Sequence, residues 1–485
     1  MVPGLMAEEH AAVENLPYKW KALITVALGT MLATLDASII NIAYPHLTRV
    51  FNVDLTTVIW VTLVYIIVSS GSMLAFGKLS DTIGRKKIYA TGLVIFTVGM
   101  ALCSMARNVP EIIVFRIIQA IGAAMSVGCS TAIVTEAFPY GEMGRGLGML
   151  GMAVSVGFII GPVAGGFLLD WLGWRAIFYM RIPFGILAFV LAFLLLKRDE
   201  ARQKKLKLDI PGTITSFASV LCLLLGMGQV KTHGLASGIN IALICAAALF
   251  FGLFLVWEGR AAEPIVDLGL FRKRAFSCAM TAFFVFFLTV PLYAVIMPFF
   301  LMDAIKLAAS KAGLVLAAIP VATLIASPLS GFVSDRLGSR WPSVAGAGMI
   351  TVSFLLMFRF GLHTGLSEII AVLALLGFGV GVFQPPNNSS VMGTVEPARL
   401  GSVSALMATT RQVSISIGMA MTGSVFSVRQ GIYNDILRSK ELDAAELLRH
   451  STVPALRDVV FIVFCLSAAV IILSMATKKE QKGSL

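Results

Sequence analysis

Four ionisable side chains, Asp36, Arg116, Arg181 and Arg411, interrupt long apolar runs of the sequence. A carboxylate held at the depth of Asp36, about fifteen residues into a membrane span, costs at least a few kcal/mol while charged, so it is a functional candidate by default. Desolvation and a neighbouring cation act on its proton affinity in opposite senses, which suits a group that loads and releases a proton. The alternative is a protonated, hydrogen-bonded structural acid. Arg116 lies about five residues in from the end of its run, or roughly 8 Å at 1.5 Å per residue. Asp36 is about nine residues from the same side, so the two depths overlap, and Arg181 lies about six residues in, near the depth of Arg116. The alternative for Arg116 is an arginine that snorkels to the interface. At 100° per residue, Thr34, Ser38 and Asn41 share one helix face, while Asp36 lies opposite with Thr25, Gly29 and Ile40. One face packs on neighbouring helices and the other lines a cavity, and the sequence leaves open which. Three cations against one carboxylate leave an excess of positive charge inside these runs.

The elements that position these groups are membrane helices. The 485-residue chain is 58% hydrophobic and 13% charged, with a mean hydropathy of +0.89, which excludes an ordinary soluble protein. Fourteen apolar runs are long enough to span a bilayer: 21–45, 57–77, 88–106, 111–137, 145–169, 175–196, 210–230, 238–257, 275–303, 312–333, 342–361, 367–391, 400–428 and 458–477. None alternates with the period of a barrel strand, so the predicted fold class is all-α integral membrane with 14 transmembrane helices. With both termini cytoplasmic, the inner segments carry twenty-three Lys and Arg, against six in the outer loops up to residue 367. The net charge of +12 is therefore positive-inside anchoring and not a nucleic-acid stripe. All six tryptophans sit at span ends, as interfacial anchors do. The six cysteines lie in apolar runs without C-x-x-C or a histidine pair and read as small buried hydrophobes, without disulfides or metal. The acidic start, Met1 to Tyr18, is not a signal peptide.

A repeat sets the organisation. Gly77-Lys-Leu-Ser-Asp-Thr-Ile-Gly-Arg-Lys-Lys87 returns as Gly331-Phe-Val-Ser-Asp-Arg-Leu-Gly-Ser-Arg-Trp341, pairing Gly77 with Gly331, Asp81 with Asp335 and Gly84 with Gly338 at a constant offset of 254 residues. Two homologous halves follow, and parallel membrane repeats of this kind mark rocking transporters. The halves are residues 1–200 and 266–485, each of six helices, with an inserted helix pair at 201–265. Gly77 permits close helix approach, and Asp81 can accept hydrogen bonds from Arg85. Gly157, Gly161 and Gly165, with Pro162 beside them, stripe one face of the fifth run and permit a tight packing seam.

The G-x-x-x-D-x-x-G-R-[KR]-[KR] loop resembles the signature of the major facilitator superfamily. Six plus two plus six spans resemble its fourteen-span drug:proton antiporter branch. Leu35-Asp36-Ala37-Ser38 through Pro45 is similar to L-D-x-T-V-x-N-V-A-L-P, and Gly157 to Gly166 is similar to the antiporter motif G-x-x-x-G-P-x-x-G-G. Arg116, Gln119 and Gly122 resemble R-x-x-Q-G-x-G, and Arg411-Gln412 resembles R-Q-x-G. Trp174 to Pro183 resembles W-R-x-x-F-x-x-N-x-P, with Arg181 standing where asparagine is usual. The resemblance implies proton coupling at Asp36 and Arg116. It implies a cytoplasmic conformational latch of Gly77, Asp81, Gly84, Arg85 and Asp335, and an antiporter hinge of Gly157, Gly161, Pro162 and Gly165. A substrate cavity would draw on Asn41, Gln119, Arg181 and Arg411.

The expected function is proton-driven multidrug efflux of lipophilic or amphiphilic molecules across the cell (inner) membrane. The expected protein is a monomer that uses no cofactor beyond the proton gradient. An endogenous anionic amphiphile, such as a fatty acid or lipid, is the alternative substrate. A transporter-like receptor or a channel is the alternative outside transport. A nucleotide-driven pump is excluded because Gly71 to Lys78 has neither the spacing nor the hydroxyl of a phosphate loop. Enzyme chemistry is not expected, since all five histidines fall in outer loops or the N-terminal tail and no nucleophile or metal cluster forms.

Overall fold

The computed structural model describes residues 17–139, 143–197, 210–228, 237–260, 268–394, 400–437 and 443–477. All of their regular structure is helical. In lipid only helices and closed barrels satisfy every backbone group internally, so these runs fold as predicted. The first six are α1 (Tyr18–Ile39), α2 (Leu55–Ile83), α3 (Arg85–Met105), α4 (Val109–Ala137), α5 (Met143–Leu172) and α6 (Ile182–Leu195). Then come α7 (Ile210–Gly228) and α8 (Gly238–Glu258). The last six are α9 (Arg274–Pro291), α10 (Ala318–Leu337), α11 (Arg340–Met357), α12 (Leu366–Met392), α13 (Leu400–Leu437) and α14 (Ala444–Ala476).

Among the described residues, eleven helical segments are long and apolar enough to cross a membrane. Eleven of the fourteen predicted runs have their counterparts in these segments. The other three runs are helical, as α7, α11 and α13, but stand outside that set. The physical reasons are local. Helix α11 opens on Arg-Trp-Pro-Ser, and α13 carries Arg411, Gln412 and many hydroxyls.

Two compact units emerge. The first comprises Met1–Ile39, Val68–Gly161 and Leu172–Leu208, and the second comprises Ile40–Ile67, Pro162–Trp171 and Asp209–Leu485. In the first, α1 packs on α4 and α6, and α3 packs on the same two helices. In the second, α9 packs on α13 and α14, α12 packs on α10 and α11, and α7 joins the α8 pair to α13. Helix α8 shows apolar side chains on most of its surface, Leu249 and Phe251 among them, as a lipid-facing helix does.

Glycine makes the first unit compact. A Cβ on Gly122 of α4 would overlap the Phe96 nitrogen and come within 2.6 Å of the Gly92 oxygen on α3. One on Gly99 would lie 2.6 Å from the Gln119 Cα. Such close backbone approach is how membrane helices gain packing energy without a hydrophobic drive. Gly122→Ala should therefore lose about 1–3 kcal/mol to overpacking and lower the unfolding temperature of the purified protein. Gly151→Ala is the control, because nothing lies within 4 Å of a Cβ placed there. Equal unfolding temperatures for the two variants would refute the packing argument.

The repeat is written in the backbone as well as in the sequence. Gly84 (φ 112°) and Gly338 (φ 82°) both turn the chain between consecutive helices in a conformation that side-chain-bearing residues rarely adopt. Among the described residues, the only non-glycine positions with positive φ are Asn52 (50°) and Lys306 (63°). Both pairs are separated by the same 254 residues as the two loops.

Candidate functional site

Asp36 sits in the last turn and a half of α1, which is tied to α3 where the Tyr89 hydroxyl donates to the Thr25 carbonyl at 3.2 Å. The start of α4 is fixed by Asn108, whose side chain accepts from the Glu111 amide at 2.8 Å, with Pro110 in the first turn. That register puts Arg116 and Gln119, three residues apart, on one helix face. Between α5 and α6 the chain breaks around a four-residue helix, Ala176–Tyr179. Arg181 falls at the N-cap of α6, with Pro183 in the first turn, and its Nε donates to the Ile177 carbonyl at 2.6 Å.

These elements bring four side chains together. Arg116 Nη1 donates to Asp36 Oδ2 at 2.6 Å and Arg181 Nη1 to Asp36 Oδ1 at 2.5 Å. Gln119 Nε2 donates to Oδ1 at 3.0 Å, while its Oε1 accepts from Arg116 Nη1 at 2.9 Å. None of the four side chains is more than 5% exposed. Two guanidinium groups and one carboxylate leave the cluster at a net single positive charge. The ion pairs hold α1, α4 and α6 through one carboxylate, so any event that neutralises Asp36 loosens all three. The Asp36 face of α1 is packed, with Thr25, Asp36 and Ile40 all buried. Arg116 is a buried ion-pair partner, fully enclosed, and does not snorkel.

The opposite face of α1 meets α5. A Cβ on Gly157 would overlap Thr34 Oγ1, and one on Gly161 would overlap Ser38 Oγ, which donates to the Gly157 carbonyl at 3.3 Å. The division between the two compact units passes between Gly161 and Pro162, within the glycine stripe. Gly165 is buried, and Asn41 is half-buried with its Oδ1 unpartnered among the described residues.

Gly77 lets α2 approach α4, where its Cβ would lie 3.4 Å from the Gly128 oxygen, but nothing lies within 4 Å at Gly331. Arg85 pairs with Glu136 at the end of α4 (2.8 Å) and donates to the Ala132 carbonyl at 3.3 Å. The side chains of Asp81 and Asp335 lie outside the described residues. Arg411, on α13, is exposed and belongs to the second unit, whereas the Asp36 cluster belongs to the first.

One ion pair escaped the sequence reading. In the second unit, Arg49 pairs with Asp303, and the two are 254 residues apart, so each is the other's counterpart in the repeat. Beside them Asp170 accepts from the amides of Ala309 (3.0 Å) and Ser310 (2.8 Å), capping the helix Ala309–Leu316. A Cβ on Gly313 would overlap the Pro162 oxygen, and one on Gly166 would overlap that of Ala309. A cavity of about 300 Å³ opens here, lined by His46, Arg49, Asp170 and Met302. The signal that could have found the pair was the offset itself, since Asp303 and Arg49 have opposite charges at equivalent positions.

Comparison with known proteins gives a consistent picture. A family model described as Major Facilitator Superfamily matches residues 26–419. The chain is 32% identical over 409 residues to the riboflavin transporter RibZ of Clostridioides difficile (strain 630), spanning 84% of this chain and 88% of that protein. It is 30% identical over 406 residues to the multidrug resistance protein Stp of Mycobacterium tuberculosis, spanning 84% and 75%. With the multidrug transporter protein MdtP of Bacillus subtilis it shares 27% identity over 424 residues, spanning 86% and 77%. Among solved structures, a bacterial homolog of the human lysosomal transporter Spinster, inward-facing and unoccupied, superposes with a TM-score of 0.71 at 16% identity. That match covers 96% of this chain and 98% of the other, a likeness of fold alone.

Proposed function

Because the chain belongs to the major facilitator superfamily, and so is a multi-pass membrane transporter of small molecules and not an enzyme, we propose that it exports lipophilic or amphiphilic molecules in exchange for protons. The observation that carries this reading is the Asp36 cluster. A proton arriving on Asp36 removes the charge on which its pairs with Arg116 and Arg181 depend. The three helices joined there are then free to repack, and the movement of one proton becomes a movement of helices. Two of the three relatives named above are multidrug proteins, which supports a broad apolar substrate range, whereas the third carries riboflavin.

The rest of the reading follows from the same family logic. The chain crosses the cell (inner) membrane fourteen times as a monomer, with α7 and α8 inserted between two six-helix halves and both termini in the cytoplasm. The twenty-three to six bias of Lys and Arg supports that orientation. Gly157, Gly161, Pro162 and Gly165 form the hinge seam. Gly77, Asp81, Gly84, Arg85 and Asp335 make the cytoplasmic latch, to which the Arg85–Glu136 pair is added. The Arg49–Asp303 pair closes the outer side.

The test is flux. Purified protein in liposomes should accumulate a lipophilic fluorescent dye against its gradient when a pH difference is imposed, and an uncoupler should abolish accumulation. Accumulation that ignores the pH difference would defeat proton coupling, and downhill leakage alone would favour a channel.

A further inference from the structure

We infer that the exported molecules include amphiphilic anions and that Arg411 is the cation that binds their charged group. This rests on the reading of the chain as an exporter and deepens it. Arg411 is the twelfth residue of α13, roughly 16 Å along the helix from its start at 1.5 Å per residue. That is about half the thickness of a bilayer core of roughly 30 Å, beyond the few ångströms that snorkelling recovers. A guanidinium keeps its proton at any accessible pH, so Arg411 stays charged. It is nonetheless exposed, and it makes no hydrogen bond or ion pair with the described residues.

Five of the described carboxylates are engaged elsewhere. Asp36 is held by Arg116, Arg181 and Gln119. Asp303 serves Arg49, Glu136 serves Arg85, and Asp458 serves Arg429 at 2.5 Å. Asp170 is spent on two backbone amides. An exposed guanidinium facing lipid at that depth costs about 2.5–3.5 kcal/mol or more, so its exposure is to water-filled space. A cation in such a space, with no partner among the described residues, is built to receive one. The planar fork of arginine matches a carboxylate in bidentate fashion, and the apolar walls of a transporter suit an acyl or aromatic body. The Asp36 cluster offers no spare negative charge to compete, since it is itself positive by one.

The experiment measures binding and not transport, so it stands whether or not protons drive export. A dansyl-labelled long-chain carboxylic acid and its primary amide are titrated into the purified full chain in neutral detergent at constant pH. The unmodified protein should bind the acid about tenfold more tightly than the amide. In Arg411→Gln the acid should fall to the level of the amide, and Arg411→Lys should retain part of the preference. An acid preference that survives in Arg411→Gln, or none in the unmodified protein, would overturn the assignment. Phosphatidylglycerol is added in a parallel arm. Full displacement of the acid by an equal concentration of this lipid would assign the cation to a headgroup and also overturn it. Binding that behaves as expected, alongside flux that ignores the pH gradient, would leave this inference standing and remove proton coupling.

Discussion

Asp36→Asn is expected to abolish gradient-driven export and also to weaken the folded protein. The second effect comes from charge. Asparagine leaves Arg116 and Arg181 buried together with no counter-ion, a net charge of two in a site where no side chain is more than 5% exposed. Removing one partner of a buried ion pair costs about 3–5 kcal/mol, because the charge left behind stays desolvated. Loss of transport by this variant would therefore be ambiguous on its own. The double variant Asp36→Asn with Arg181→Asn resolves it. It returns the cluster to a single positive charge, as in the unmodified protein, and places at 181 the asparagine of the motif that Trp174 to Pro183 resembles. The double variant should recover most of the unfolding temperature and the yield, yet still fail to accumulate dye under a pH gradient. Full uphill accumulation by the double variant would rule out Asp36 as the proton carrier.

Reversing the charge at Arg49 is expected to open the side of the protein that Arg49 and Asp303 close. Asp303 is 3% exposed and Arg49 is 53% exposed, so the carboxylate depends on this partner while the arginine is partly screened. Arg49→Glu sets two carboxylates against each other. A cost of about 1.4–2.8 kcal/mol to the closed state would shift the open population ten- to a hundredfold. Spin labels at the exposed positions Val50 and Lys311 report it as a longer distance in pulsed electron resonance. Asp303→Asn should shift the distribution in the same direction but less far, and Arg49→Glu with Asp303→Arg should shift it back. A distribution unchanged in Arg49→Glu would show that the pair is not part of any gate.

Much of the molecule could be read before its structure was described, and the reasons are physical. The helices were legible because lipid permits no other use of such runs. The overlap of Asp36 and Arg116 in depth was legible because rise per residue is fixed. What depth cannot supply is azimuth. Arg181 lay at the right level, but nothing in a single sequence says that the turn before α6 aims it at α1. The same gap left the two faces of α1 undecided. Arg85 shows a further limit: among its acceptors is Glu136, fifty-one residues away along the chain, which spacing alone does not single out. Arg49 looked like an ordinary loop cation because its partner is apparent only once the repeat is used to align the ends of the halves.

The Arg49–Asp303 pair also dates itself. Two identical copies of an ancestral half would bring the same residue to both positions, so that arginine would face arginine or aspartate would face aspartate. Like charges there would repel, and a symmetric ancestor could not have closed in this way. The ion pair therefore arose after duplication, when the halves had begun to differ. The asymmetry that makes them a pair is a record of their divergence, kept beside the Asn52 and Lys306 turns, where the copies still share one backbone shape.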